Sequence, residues 1–343
     1  MDLAALWYAL LAAALAAYVA LDGFDLGAGA ILPLVARTPD ERRLVIHSLG
    51  PVWDGNEVWL LAAGGTLVLA FPRVYAAAFS GFYLPLMILL WLLVGRALSI
   101  ELHHQAEKTL WRPLCDIAFA VSSLLLALIL GAALGNVVRG VDADAEGHFF
   151  HALFTDFSAK PPLGILDWYT VLAGLTSVVA LARHGALWLN WKAGGPVQKR
   201  AERWALRLGP ALLLLTVLLT AATLWVQPLV GRALATRPWL WALAALVVAG
   251  LGAGHWALRR GRELAAFLAS ALFLTALMAC VAGGLYPVLL PAAGLGQSLT
   301  TANSASADYA LRTGLDWWLP GVALATAYFV FLYRGLPRKF DGR

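Results

Sequence analysis

Apolar residues run along this chain in blocks of membrane length, separated by connections that hold most of its Arg and Lys residues. A helix needs about 20 apolar residues to cross a hydrocarbon layer roughly 30 Å thick. Nine stretches qualify: 3–36, 51–71, 76–100, 114–138, 163–191, 204–227, 238–258, 264–290 and 314–333. With no water in the hydrocarbon, each backbone must satisfy its own polar groups. Runs this rich in Leu and Ala do so as helices, not as the alternating strands of a barrel. The pattern therefore predicts an all-α polytopic membrane protein with nine transmembrane helices. Only two outer connections, 139–162 and 291–313, are long enough to carry structure of their own.

Composition agrees, with 61% hydrophobic and 13% charged residues and a mean hydropathy of +0.75. Nine spans put the termini on opposite sides, and the basic residues say which side is which. Eighteen of the 25 fall on the C-terminal side, from Arg37, Arg42 and Arg43 through Arg96, Lys108 and Arg112 to Arg334, Arg338, Lys339 and Arg343. The N-terminus is thus expected to be periplasmic and the C-terminus cytoplasmic, as in a multi-pass protein of a bacterial inner membrane. A net charge of +5 could suggest nucleic acid, but the basic residues sit in short inner loops and form no patch interleaved with aromatics. The N-terminus lacks a basic leader region and its apolar run exceeds a signal core, so the first helix is expected to remain. Cys115 and Cys280 are too few for a disulfide framework or thiolate site and read as apolar filler.

Four acids break the apolar pattern. Asp22 and Asp25 follow an uncharged run from Leu3 to Leu21, and Asp54 and Glu57 repeat the same spacing near the start of the second stretch. Ionisable groups in a bilayer are expensive and mark function by default. At 1.5 Å per residue, Asp22 lies roughly 28 Å along the first helix from Leu3, in its inner half. The second helix runs back from the inner loop, which brings Asp54 and Glu57 to a similar depth. The i, i+3 spacing puts each pair on one helix face, and an antiparallel hairpin can turn the two faces together. Carboxylates so close in a low dielectric cannot all ionise, which suits a proton relay. Asn56 and the indoles of Trp53 and Trp59 could donate hydrogen bonds to them, although tryptophans in such helices are more often packing or interfacial residues. For any single acid the alternative is a helix cap or an ion pair with an interior Arg.

Other chemistry is weaker. Asp142, Asp144, Glu146, His148 and His151 could ligate a metal on paper, but their spacing fits no familiar site, and none is expected. Of seven histidines only His184 and His255 fall within spans, near inner ends beside Arg183 and Arg259, where interfacial polar roles are expected before haem ligation. The pairs Gly23 with Gly27, Gly131 with Gly135 and Gly250 with Gly254 have the spacing that lets helices pack closely.

Three motifs together resemble subunit II of cytochrome bd-type quinol oxidases, the cyanide-insensitive type included. They are Asp22-Gly23-Phe24-Asp25-Leu26-Gly27, the segment from Trp53 to Leu60, and the stretch from Phe71 to Tyr83. Looser similarity extends through Gly135 to Val141, His184 to Ala186, and the region from Tyr286 to Thr300. The resemblance implies two four-helix bundles plus one peripheral helix: residues 1–139 as the first bundle, 140–162 as a periplasmic loop, and 163–343 as the second bundle and C-terminal helix. It implies a heterodimer with a haem-bearing subunit I, which would hold haem b, haem d and the site oxidising ubiquinol or another quinol. A small single-helix subunit and a structural quinone are further features of some members. It also assigns a proton route to Asp22, Asp25 and Asp54, with position 57 occupied by Glu or Gln, and an oxygen-access role to Trp59. The competing reading from the residues is a proton-coupled secondary transporter using Asp22, Asp25, Asp54 and Glu57. Such transporters repeat their broken helices in both halves, whereas here the deep acids belong to the first two helices alone.

Overall fold

The computed structural model describes residues 2–105, 111–294 and 296–340. Lys108 and Arg343, counted above in the charge bias, lie outside the described residues, as does the His104 side chain. In chain order the helices are α1 (Leu3–Ala30), α2 (Leu32–Val35), α3 (Pro39–Leu49), α4 (Trp53–Ala70), α5 (Pro72–Gly81), α6 (Tyr83–Gln105), α7 (Trp111–Arg139), α8 (Trp168–Lys192), α9 (Gly195–Val226), α10 (Pro228–Thr236), α11 (Trp239–Arg259) and α12 (Glu263–Leu285). A two-stranded antiparallel pair, β1 (Val288–Leu290) and β2 (Leu299–Thr300), then leads to α13 (Thr301–Ser304) and α14 (Asp308–Gly335).

Helices α1, α4, α6 and α7 form one bundle, and α8, α9, α11 and α12 a second. Helix α14 stands at the edge against α4 and α1, and Leu311 is its one buried residue. The bundles meet along α1, α7 and α8, where the small residues act as expected. A Cβ on Gly27 would run into the α8 backbone at Leu181 and Gly185, and one on Gly131 would come within 2.9 Å of Gly174 Cα. Gly250 likewise lies against the α12 backbone at Ala269 and Phe273. Lipid tails are as apolar as Leu, so such close backbone contact supplies association that burial alone does not.

Eight helices are long and apolar enough to span a membrane, and the pair α4 and α5, bent by 120°, makes a ninth only if taken as one broken span. The expected third span from residue 76 is corrected here: 72–81 form α5, and the spanning helix starts at Tyr83. Pro72 explains the break, because it has no N–H to continue the α4 ladder and begins α5 as its first residue. Helix α9 starts at Gly195, ahead of the expected 204, because its polar first turns extend beyond the apolar run.

Helix α3 is a short element in the arginine-rich loop after α1. Thr38 accepts from the Glu41 N–H while Glu41 accepts from the Thr38 N–H, closing a capping box around Pro39. Burial works against the Glu41 charge. Hydrogen bonds from Arg200 and from the Arg37 and Thr38 N–H groups outweigh it and hold the carboxyl below its ordinary range. At the opposite end the two long connections fold together: Val141 N–H donates to Pro291 O at 2.9 Å and Ala293 N–H to Val141 O at 2.8 Å.

Candidate functional site

Asp22 and Asp25 are both fully buried on α1, one helical turn apart. Asp22 is clamped by Arg96 of α6, whose Nη1 and Nη2 donate to Oδ2 and Oδ1 at 2.8 and 2.5 Å. Arg96 is also fully buried. This corrects its assignment to an inner connection. Asp22 therefore takes the alternative of an ion pair with an interior Arg. The signal was available, since Arg96 lies within the expected 76–100 stretch, but charge counting alone put it at the interface.

Asp25 is held differently. Asn56 Nδ2 of α4 donates to Asp25 Oδ2 at 2.8 Å, and the Tyr333 hydroxyl of α14 donates to Asn56 Oδ1 at 2.9 Å. Asp25 Oδ1 has no protein partner among the described residues. Glu57 is half-buried and within electrostatic reach of Asp22, Arg96 and Asp54. Asp54 is exposed on α4, on the face it shares with Val58, Leu61, Gly65 and Val68. Thus Asp22, Asp25 and Glu57 gather around one guanidinium, while Asp54 turns away from the bundle. The four acids grade from fully buried to exposed, and they do not form one compact cluster.

The tryptophans take the packing role. Trp59 packs against Phe329 of α14 with ring centroids 6.0 Å apart, and its indole N–H has no partner among the described residues. Trp53 packs against the core at the arginine-rich end. Asn56 alone of the three donates to an acid. Tyr333 and Tyr18, which faces Asp22 and Arg96, escaped the sequence reading because an isolated Tyr in an apolar helix looks like packing.

His184 is fully buried, with Nδ1 3.1 Å from Ser270 Oγ, Nε2 3.0 Å from Ala20 O, and its ring stacked on Phe267 at 4.8 Å. Both ring nitrogens are engaged, so this side chain does not fit an axial haem ligand. In the long loop, Asp144 Oδ1 accepts from the N–H groups of Glu146 and His148, and His151 Nε2 accepts from the Asp142 N–H. These groups shape turns, and no three ligating side chains converge among the described residues. A second buried polar knot is structural: Arg139 pairs with Asp167, the N-cap of α8, and also donates to Gly164 O and Asn136 Oδ1.

Bundled spans around buried carboxylates, with one bundle face left open at an exposed acid, define a polytopic membrane protein. The comparisons with known proteins make this specific. A family model for cytochrome bd terminal oxidase subunit II matches residues 3–336, and the chain belongs to that family. It is 29% identical to a probable cytochrome oxidase subunit 2 of Haemophilus influenzae, over 98% of this chain and 94% of the relative. It is 34% identical to the cytochrome bd-I ubiquinol oxidase subunit 2 of Escherichia coli K12, over 65% of this chain and 56% of the relative. With the Bacillus subtilis cytochrome bd ubiquinol oxidase subunit 2 it shares 28% over 90% of this chain and 88% of the relative. The bd oxidase structure from Geobacillus thermodenitrificans shares the fold, with a TM-score of 0.72 and 20% identity over 97% of this chain and 98% of that one. The chain is thus a component of a quinol:oxygen oxidoreductase complex that carries haem at the level of the complex. The secondary transporter receives no support.

Proposed function

We propose that this chain conducts protons from the cytoplasm to the oxygen-reducing haem of a partner subunit, through Asp25, Glu57 and Asp54. The observation that carries the reading is the gradation of the acids, which ends at an exposed carboxylate on the open α4 face. Asp22 has both oxygens committed to Arg96, so it serves as a fixed charge that tunes its neighbours. Asp25 has one free oxygen at which a proton can be taken up and released, while Asn56 and Tyr333 hold its other side. Asn56 is a positioning residue, because an amide holds a carboxylate in place without carrying its proton.

In this reading the N-terminus is periplasmic, the C-terminus cytoplasmic and the membrane the bacterial inner membrane, in keeping with the charge bias of the loops. The partner is a haem-bearing subunit I with haem b, haem d and the quinol site, ubiquinol being the substrate named for two of the relatives. It docks on the open faces of α4 and α14. Trp59, packed between those helices, lines an oxygen-access path. A small single-helix subunit and a structural quinone complete the family features, and neither has a local signature in this chain.

The test is quinol-driven oxygen consumption by the purified complex. Asp54→Asn and Asp25→Asn should each slow turnover by about 10²–10⁴-fold, the range for loss of a positioned proton-transfer group, with visible haem absorbance retained. Full turnover in the variant neutralised at both positions removes the relay.

A further inference from the structure

Arg183 is a buried cation that the relay does not use. Arg183 of α8 has 0% of its surface exposed, and none of its three guanidinium nitrogens has a partner among the described residues. Among the described residues, no acidic side chain contributes to its electrostatic surroundings. An isolated buried charge is among the costliest features a fold can carry, so a guanidinium in this position calls for an anion.

Its setting says which kind. The group lies where α8, α9, α11 and α12 converge, beside two glycines: a Cβ on Gly209 of α9 would meet Arg183 Nε at 3.7 Å and His255 Nδ1 at 3.0 Å, and one on Gly254 of α11 would meet Arg183 Nη2 at 3.4 Å. Gly254 is five residues from the end of α11, so the site is only about 8 Å below the arginine-rich end of that helix. The nearby ends of α9 and α11 are basic and aromatic. Exposed Arg207 covers Trp204 with its guanidinium carbon 5.5 Å from the ring centroid, and exposed Arg260 and Arg262 flank Trp256 at 4.6 and 5.4 Å. Glu263 does not neutralise these ends, since it already bonds Lys339 and Gln198. Tryptophan and arginine at that depth mark the headgroup layer, and basic pockets between spanning helices on such a side bind anionic lipid headgroups.

We propose that Arg183, with His255, binds the phosphodiester of an anionic phospholipid whose headgroup enters between α9 and α11, drawn in by Arg207, Arg260 and Arg262. This needs only that the second bundle spans the bilayer, and it stands whether or not the proton relay holds.

Native mass spectrometry of the delipidated complex tests it, with phosphatidylglycerol as the probe and phosphatidylcholine and inorganic phosphate as comparisons. Wild type should bind one phosphatidylglycerol at least tenfold more tightly than phosphatidylcholine, and Arg183→Gln should abolish that preference. Arg207→Gln with Arg260→Gln alters only exposed side chains and covers the case in which Arg183→Gln does not assemble; it should weaken binding by about fivefold per charge removed. Equal affinity for the two lipids, unchanged affinity in the Arg207→Gln, Arg260→Gln variant or in an assembled Arg183→Gln complex, or displacement of the lipid by millimolar inorganic phosphate overturns the proposal.

Discussion

Replacing Asp22 by Asn takes from the buried Arg96 guanidinium the carboxylate that hydrogen-bonds it and leaves only Asp25 and Glu57 at longer range. Both side chains have 0% exposure, and the pair is bidentate at 2.8 and 2.5 Å, so neither water nor a small rotation compensates. Breaking a buried pair from one side costs about 3–5 kcal/mol, most of it the penalty on the abandoned charge. At roughly 2 °C per kcal/mol for a large domain, the apparent melting temperature of the complex in mild detergent should fall by about 6–10 °C. The second substitution makes the measurement decisive. In Asp22→Asn with Arg96→Gln the bidentate pair is removed from both sides, and two amides of suitable length face each other. The double variant should therefore melt above Asp22→Asn alone, with a favourable coupling of about 1–3 kcal/mol in the cycle. Intrinsic tryptophan fluorescence reads the transition, and the visible haem spectrum reports whether the complex stays assembled. An Asp22→Asn complex that melts within a degree of wild type, or a double variant that melts lower still, would refute an ion pair as the reason for Asp22.

Two further outcomes follow from other parts of the molecule. A Cβ on Gly185 would press into the α1 backbone at Gly27 and Ala28, so Gly185→Ala should destabilise the complex by about 1–3 kcal/mol or more, whereas Gly252→Ala, with nothing within 4 Å, should be silent in the same melting assay. In the long loop, burial, reinforced by the charge on Arg139, pushes His151 down from 6.5 to about 4. The folded loop thus favours the neutral ring: this contribution is complete above pH 6.5 and is lost as pH falls from there toward 4. Hydrogen exchange around His151, corrected for intrinsic rates, should accelerate between pH 7 and 5 in wild type, and His151→Gln should remove that acceleration.

The spans, the helical class and the acid-bearing motifs were legible from sequence because the bilayer imposes a long apolar run and a charge bias wherever a chain crosses it. The close helix contacts were legible too, since Gly27, Gly131 and Gly250 can have no other use for their spacing in a packed bundle. The 120° turn after Phe71 was half-announced by Pro72, but an apolar run continuing on both sides of it concealed where the spanning helix restarts. Which acid does what was beyond the pattern. A period of three or four residues puts Asp22 with Asp25 and Asp54 with Glu57 on common faces, yet says nothing of the rotation of one helix against another. That rotation is set by long-range packing of α1 on α4, α7 and α8. It commits Asp22 to Arg96, hands Asp25 to Asn56 and Tyr333 from helices 31 and 308 residues away along the chain, and leaves Asp54 facing outward. It also leaves the Arg183 guanidinium without a hydrogen-bond partner among the described residues. Sequence determines what a membrane will accept; only the packed helices decide which buried charges meet.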